Sequence, residues 1–278
     1  MSAAAVGNLL PTFLLITLAL ASLAGVLGPP WWRRRRLARL AVQPFPASWR
    51  RILRRRVPLV ARLPVELQWR LKRHIQTFIA TKPFIGCQGQ PIDDEVRVTI
   101  AAHAGLLLLG SDASDGYPQL RQVLVYPGAF VVDRERPLGA GVVQEQRRAL
   151  AGESWTNGQV LLSWAEVVAG AADPSDGRNV ALHEFAHQID QDKGRADGRP
   201  WRASAAARRR WASVMDAAFE RLQREPSNVI DTYGASDPAE FFAVATEAFF
   251  ERPQALADEA PAVHAELAAL YGTDPLRW

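Results

Sequence analysis

Cysteine is nearly absent. Cys87 is the single one in 278 residues, so no intramolecular disulfide can form and nothing calls for an oxidising compartment. No catalytic-cysteine signature surrounds it, and it reads as a small buried hydrophobe. Internal repeats and long low-complexity tracts are also missing, which excludes solenoids and arrays. Side-chain charge is missing from residues 1–32, and within them Leu9 to Gly28 is an uncharged, largely apolar run of twenty residues. A helix of that length spans roughly 30 Å, the depth of a bilayer's hydrocarbon core.

Positive charge follows that run and none precedes it, the reverse of a cleaved signal peptide. The run therefore reads as an uncleaved membrane anchor, with Trp31 and Trp32 at the interface and Arg33 to Arg36 keeping the C-terminal side in the cytoplasm. A translation start beyond it would instead leave the protein cytoplasmic. Residues 33–73 hold fourteen Lys or Arg against one acid, Glu66, a local charge of +13; the chain total of +4 then leaves −9 for residues 74–278. The basic stretch reads as a membrane-facing segment, and no direct nucleic-acid partner is expected from it. The expected organisation is an anchor over residues 1–32, a basic linker punctuated by prolines over 33–63, and one body over 64–278.

Within the body, Leu67, Leu71, Ile75 and Phe78 recur at helical spacing. Val96 to Leu109 reads as a second helix, with His103 packed in its apolar face. QVLVYPGAFVV (122–132) and GQVLLSW (158–164) are β-branched, bounded by turn residues and read as strands. The segment RNVALHEFAHQID (178–190) is rich in helix formers. On a helix, His183 and His187 lie four apart, so both imidazoles leave one face within reach of one ion. Glu184, beside the first histidine, is placed as general base for a metal-activated water. The flanking Val180, Leu182, Phe185, Ala186 and Ile189 are apolar, so this helix is buried and its polar residues need a purpose.

A third ligand must come from elsewhere. Asp237 and Pro238 open a strongly apolar helix that carries Glu240 and Glu247. Glu240 stands at capping-box distance from Asp237 and can be occupied by backbone donors instead. Glu247 can accept a hydrogen bond from a ligand histidine. Asp190 follows His187 by three. Spacing alone leaves Glu240, Glu247 and Asp190 open as the third ligand.

HEFAHQID, TYGASDPAEFFAV and VLVYPGAFVV together resemble the Mlc titration factor A family of bacterial zinc peptidases, whose active site is similar to that of the anthrax lethal factor catalytic domain. The resemblance covers residues 64–278. It implies one Zn2+ held by His183, His187 and Glu240, Glu184 as the base, and Tyr233 as a transition-state stabiliser. It also implies a peptide or protein substrate and a sugar-system transcriptional repressor as a partner. The uncharged run at residues 9–28 departs from the soluble members of that family and implies an inner-membrane location with the catalytic body cytoplasmic. The expected fold is α+β: a mostly helical, zincin-like metallopeptidase domain with a small sheet beside the HExxH helix, preceded by a membrane-spanning helix. The competing class is a membrane-tethered regulatory binding protein with a structural or vestigial zinc site. Glu184 separates the two, because a structural site has no need of that carboxylate.

Overall fold

The computed structural model describes residues 35, 39, 43–111, 116–137, 143–150, 152–155 and 158–278. The apolar run 9–28, expected as an anchor, lies outside them; among the described residues no helix is long and apolar enough to cross a membrane. The chain divides after Pro44, and every element below belongs to the unit Phe45–Trp278.

That unit starts earlier than the Pro64 boundary expected from sequence. Residues 45–63, read as part of a basic linker, form helix α1 (Ala47–Arg56) and a 3-10 turn (Pro58–Arg62), and Phe45, Leu53, Val57, Leu59 and Leu63 are buried in the core. The arginines masked this in the sequence. One apolar stripe is enough to bury a helix, while long cationic side chains stay in water on its other face.

Helix α2 (Val65–Thr81) follows, with Leu71, Ile75 and Phe78 buried as its periodicity requires. Strand β1 (Phe84–Gly86) leads to α3 (Asp94–Leu106), capped by Asp93, whose carboxylate accepts from the Val96 N–H. His103 lies in the core as expected: its Nδ1 is 2.8 Å from the Thr99 carbonyl, and burial pushes its pKa down to about 4 against the pull of that carbonyl. Cys87 departs from expectation. It is half-buried, beside the Tyr126 hydroxyl, because it stands where the chain leaves the short strand β1.

The apolar run 122–132 is two strands, β2 (Gln122–Tyr126) and the start of β3 (Phe130–Pro137), separated at Pro127 and Gly128. β3 pairs antiparallel with β4 (Val143–Leu150) from Phe130↔Leu150 to Pro137↔Val143. Then come β5 (Gly152–Trp155) and β6 (Gln159–Ser163). The main sheet has the order β1-β2-β6-β5, with β1, β2 and β6 parallel and β5 antiparallel at the edge.

Ser163 caps α4 (Trp164–Ala172), and a loop delivers the chain to α5 (Val180–Asp190), the helix of the HExxH motif. α6 (Ala205–Arg224), α7 (Pro238–Glu251), α8 (Pro253–Glu259) and α9 (Pro261–Tyr271) complete the body. The fold is mostly helical with a small sheet, as the sequence predicts. The sheet lies against α5 through β5 and β6, and α7 packs on the same helix.

Candidate metal centre

α5 begins at Asn179, whose side-chain oxygen accepts from the Leu182 N–H at 3.1 Å. Its apolar face carries Leu182, Phe185 and Ala186 into the core, where the Phe185 ring meets Phe78 and Tyr117 at centroid distances of 5.5 and 5.2 Å. With that face fixed, the 3.6-residue period turns His183 and His187 the other way, toward α7.

α7 is capped by Asp237, whose carboxylate accepts from the N–H groups of Ala239 and Glu240. The Glu240 side chain, free of the capping duty that its spacing allowed, reaches the two histidines. Its Oε2 lies 2.9 Å from His183 Nε2 and 3.4 Å from His187 Nε2, and the two Nε2 atoms are 3.2 Å apart. Each residue thus offers one ligand atom, all within 4.8 Å of one another. The donor set fits zinc: ligands at 2.0–2.1 Å around a tetrahedral ion stand about 3.3 Å from one another. Three electron-pair donors this close also need positive charge between them. Burial opposes charge on His183, yet Glu240 and Glu247 hold its pKa well above the usual imidazole range. Burial would likewise raise the Glu240 carboxyl, and the two imidazoles instead hold it well below its usual range. A metal ion and a proton would compete for the same electron pairs on these three side chains.

Behind the cluster, Glu247 receives the Nδ1 of His183 at 2.8 Å and, through its other oxygen, the Asn179 N–H. This matches the acceptor role read from its position. Glu251, one turn further, accepts from Asn179 Nδ2 at 2.9 Å and from the Gly177 N–H at 3.1 Å. Burial raises its pKa to about 8 against those two donors. Asn179 and Glu251 were missed in the sequence, although the 240, 247, 251 spacing puts three carboxylates on one helix face and Asn179 is a preferred N-cap type. Asp190, one of three candidates for the third ligand, is turned away. Its Oδ2 accepts the Gly198 N–H at 2.7 Å, and burial pushes its pKa to about 6.

Glu184 is buried on the sheet side of α5, next to the edge strand. A Cβ built on Gly152 would stand 2.6 Å from Glu184 Oε1, so β5 passes this carboxylate only because residue 152 has no side chain. Tyr233 belongs to a 3-10 turn (Thr232–Ala235), is 51% exposed, and lies with its ring centroid 6.2 Å from that of His183. Asp231 holds the turn through the Tyr233 N–H at 2.9 Å and pairs with Arg178 at 2.8 Å. Gly152, Arg178, His183, Glu184, Tyr233 and Glu247 line one cleft of about 490 Å³.

A family model described as glucose-regulated metallo-peptidase M90 matches residues 30–272. An uncharacterized protein of Synechocystis, slr2042, is 38% identical over 96% of this chain and 99% of its own length. Mlc titration factor A of Cronobacter sakazakii is 35% identical over 88% of this chain and 91% of its own. The protein of the same name from Escherichia fergusonii is 34% identical over 79% and 84%. The resemblance carried by HEFAHQID and TYGASDPAEFFAV therefore extends over most of the chain.

Proposed function

Because this chain belongs to the glucose-regulated metallo-peptidase M90 family, we propose that it is a zinc-dependent peptidase whose one Zn2+ is held by His183, His187 and Glu240. The observation that carries this reading is the convergence of those three side chains, with His183 and Glu184 lining an open cleft. When bound, zinc supplies a Lewis acid for a scissile carbonyl and for water.

The chain's own residues do the rest. Glu247 fixes the ring of His183 so that Nε2 faces the metal position. Glu184 takes the proton of the attacking water and returns it to the leaving amine. Tyr233, half exposed at the mouth of the cleft, donates its phenol hydrogen to the oxyanion that develops on the substrate. A peptide or protein is the substrate, and residues 9–28 tether the body to the cytoplasmic side of the bacterial inner membrane. The full chain is then expected to stay in the membrane fraction through a high-salt wash that releases the chain lacking residues 1–32.

The test is hydrolysis of a panel of peptides by the purified chain. Cleavage should vanish when a chelator removes the metal and return when stoichiometric zinc is restored. Cleavage that survives complete zinc removal would sink the reading. A second reading rests on the name shared by the enterobacterial relatives, Mlc titration factor A: the same body acts as a binding protein for a transcriptional repressor, with the zinc site structural or vestigial. A chain loaded with zinc and inert on every peptide, yet retaining a repressor, would favour it.

A further inference from the structure

Charge on the packed unit is divided along its length. Residues 45–73 carry nine Lys or Arg and one acid, Glu66, a local charge of +8, whereas residues 74–278 sum to −9. The net positive excess falls on two consecutive helices, α1 and α2, and the turn between them, and both helices pack on α3. On α1, Arg51, Arg54 and Arg55 share the outward face while Leu53 is buried. Arg55 meets Glu95, but Arg51 and Arg54 are exposed and make no ion pair among the described residues. On α2, Val65, Trp69 and Arg73 follow one another at four-residue intervals on the outward face. Val65 is 64% and Trp69 62% exposed, and the Lys72 ammonium lies 5.1 Å from the Trp69 ring centroid.

Exposed apolar side chains at helical spacing, one of them an indole, with guanidinium and ammonium groups beside them, match the two layers of a lipid interface. The apolar groups enter at the acyl boundary and the cations meet phosphate. A nucleic-acid duplex offers phosphate but nothing apolar for Val65 and no unstacked base for Trp69. We propose that α1 and α2 dock the body on an anionic phospholipid surface, with Val65 and Trp69 entering the interface and Arg51, Arg54, Lys72 and Arg73 binding headgroup phosphates. Both helices belong to the body itself, so the proposal rests neither on the metal site nor on anchoring by residues 9–28. It gives the body an orientation on the membrane, which a tether alone does not.

The test uses residues 45–278, the unit that holds the hydrophobic core formed by the described residues, sedimented with vesicles of phosphatidylcholine alone or mixed with phosphatidylglycerol. Binding should require phosphatidylglycerol and weaken steeply as salt rises from about 0.05 to about 0.5 M. The pair Arg51→Glu and Arg54→Glu should weaken it by about fivefold or more for each arginine removed. The pair Val65→Ser and Trp69→Ser should also weaken it, with the circular dichroism of each variant unchanged. A second measurement needs no fragment: in the full chain the same vesicles should protect Arg51 and Arg54 from trypsin. Absence of binding to the anionic vesicles, equal binding by the variants, or unaltered cleavage in the full chain would overturn the proposal. Displacement of the vesicles by duplex DNA, with the Val65 and Trp69 variants holding DNA as tightly as the parent, would overturn it in favour of a nucleic-acid face.

Discussion

Glu184 lies in a space that another residue leaves open. The edge strand passes it at Gly152, where a single methyl group would stand 2.6 Å from its Oε1 and 2.6 Å from its Cγ. Gly152→Ala must therefore push the carboxylate, the strand, or both by the better part of an ångström. Displacements of about 1 Å in catalytic groups cost about 10²-fold in rate, so Gly152→Ala should lower kcat by about that factor. The metal should stay, because His183, His187 and Glu240 lie on the side of α5 that faces α7. Zinc content and kcat measured on the same preparation check this, and loss of zinc together with rate would assign the effect to the fold instead. Tyr233 shows the limit of single-residue reading: its sequence neighbours identify it, but only the Asp231 turn shows what holds it beside His183.

At the scale of elements, the centre is an agreement between two helices. α5 presents the histidines, and α7 answers with three carboxylates on one face: Glu240 among the histidine Nε2 atoms, Glu247 behind His183, and Glu251 on Asn179. Both groups that aim at Glu247, the Nδ1 of His183 and the Asn179 N–H, are donors. A glutamine there can accept with only one oxygen. Glu247→Gln should accordingly weaken zinc affinity by about 10–100-fold, read by competition with a chromophoric chelator. Unchanged affinity would remove Glu247 from the account.

The same pair of helices shows what sequence could reveal. His183, Glu184 and His187 were legible because four-residue spacing and apolar flanks leave one arrangement for a helix packed on a core. The third candidate was not, because Glu240, Glu247 and Asp190 all satisfy the spacing; the long-range packing of α7 on α5 is what brings Glu240 to the two histidines. The β3–β4 hairpin and the antiparallel edge strand β5 were also hidden. DRERP and QEQRRAL are charged along their length and carry no alternating apolar face, so only strand pairing reveals them.

At the scale of the whole molecule, the body begins at Phe45, where charge pattern suggested a linker. Phe45, Leu53, Val57, Leu59 and Leu63 are all buried, and each such side chain contributes about 1.5–3 kcal/mol on leaving water. Their sum is comparable with the 5–15 kcal/mol that separates folded from unfolded states of ordinary domains. A fragment starting at Pro64 should therefore fail to give a cooperative thermal transition, while one starting at Phe45 gives it. Equal melting temperatures for the two would contradict the packing described for α1.

Chemistry at the HExxH helix, beyond the holding of a metal, is what Glu184 would supply. It is tested most directly by comparing turnover of the full chain and its Glu184→Gln variant on one peptide substrate, both loaded with one zinc per chain. Zinc content should be equal, and turnover should fall by at least about 10²-fold in the variant, the size of a missing general base. A Glu184→Gln variant that cleaves as fast as the parent would contradict it.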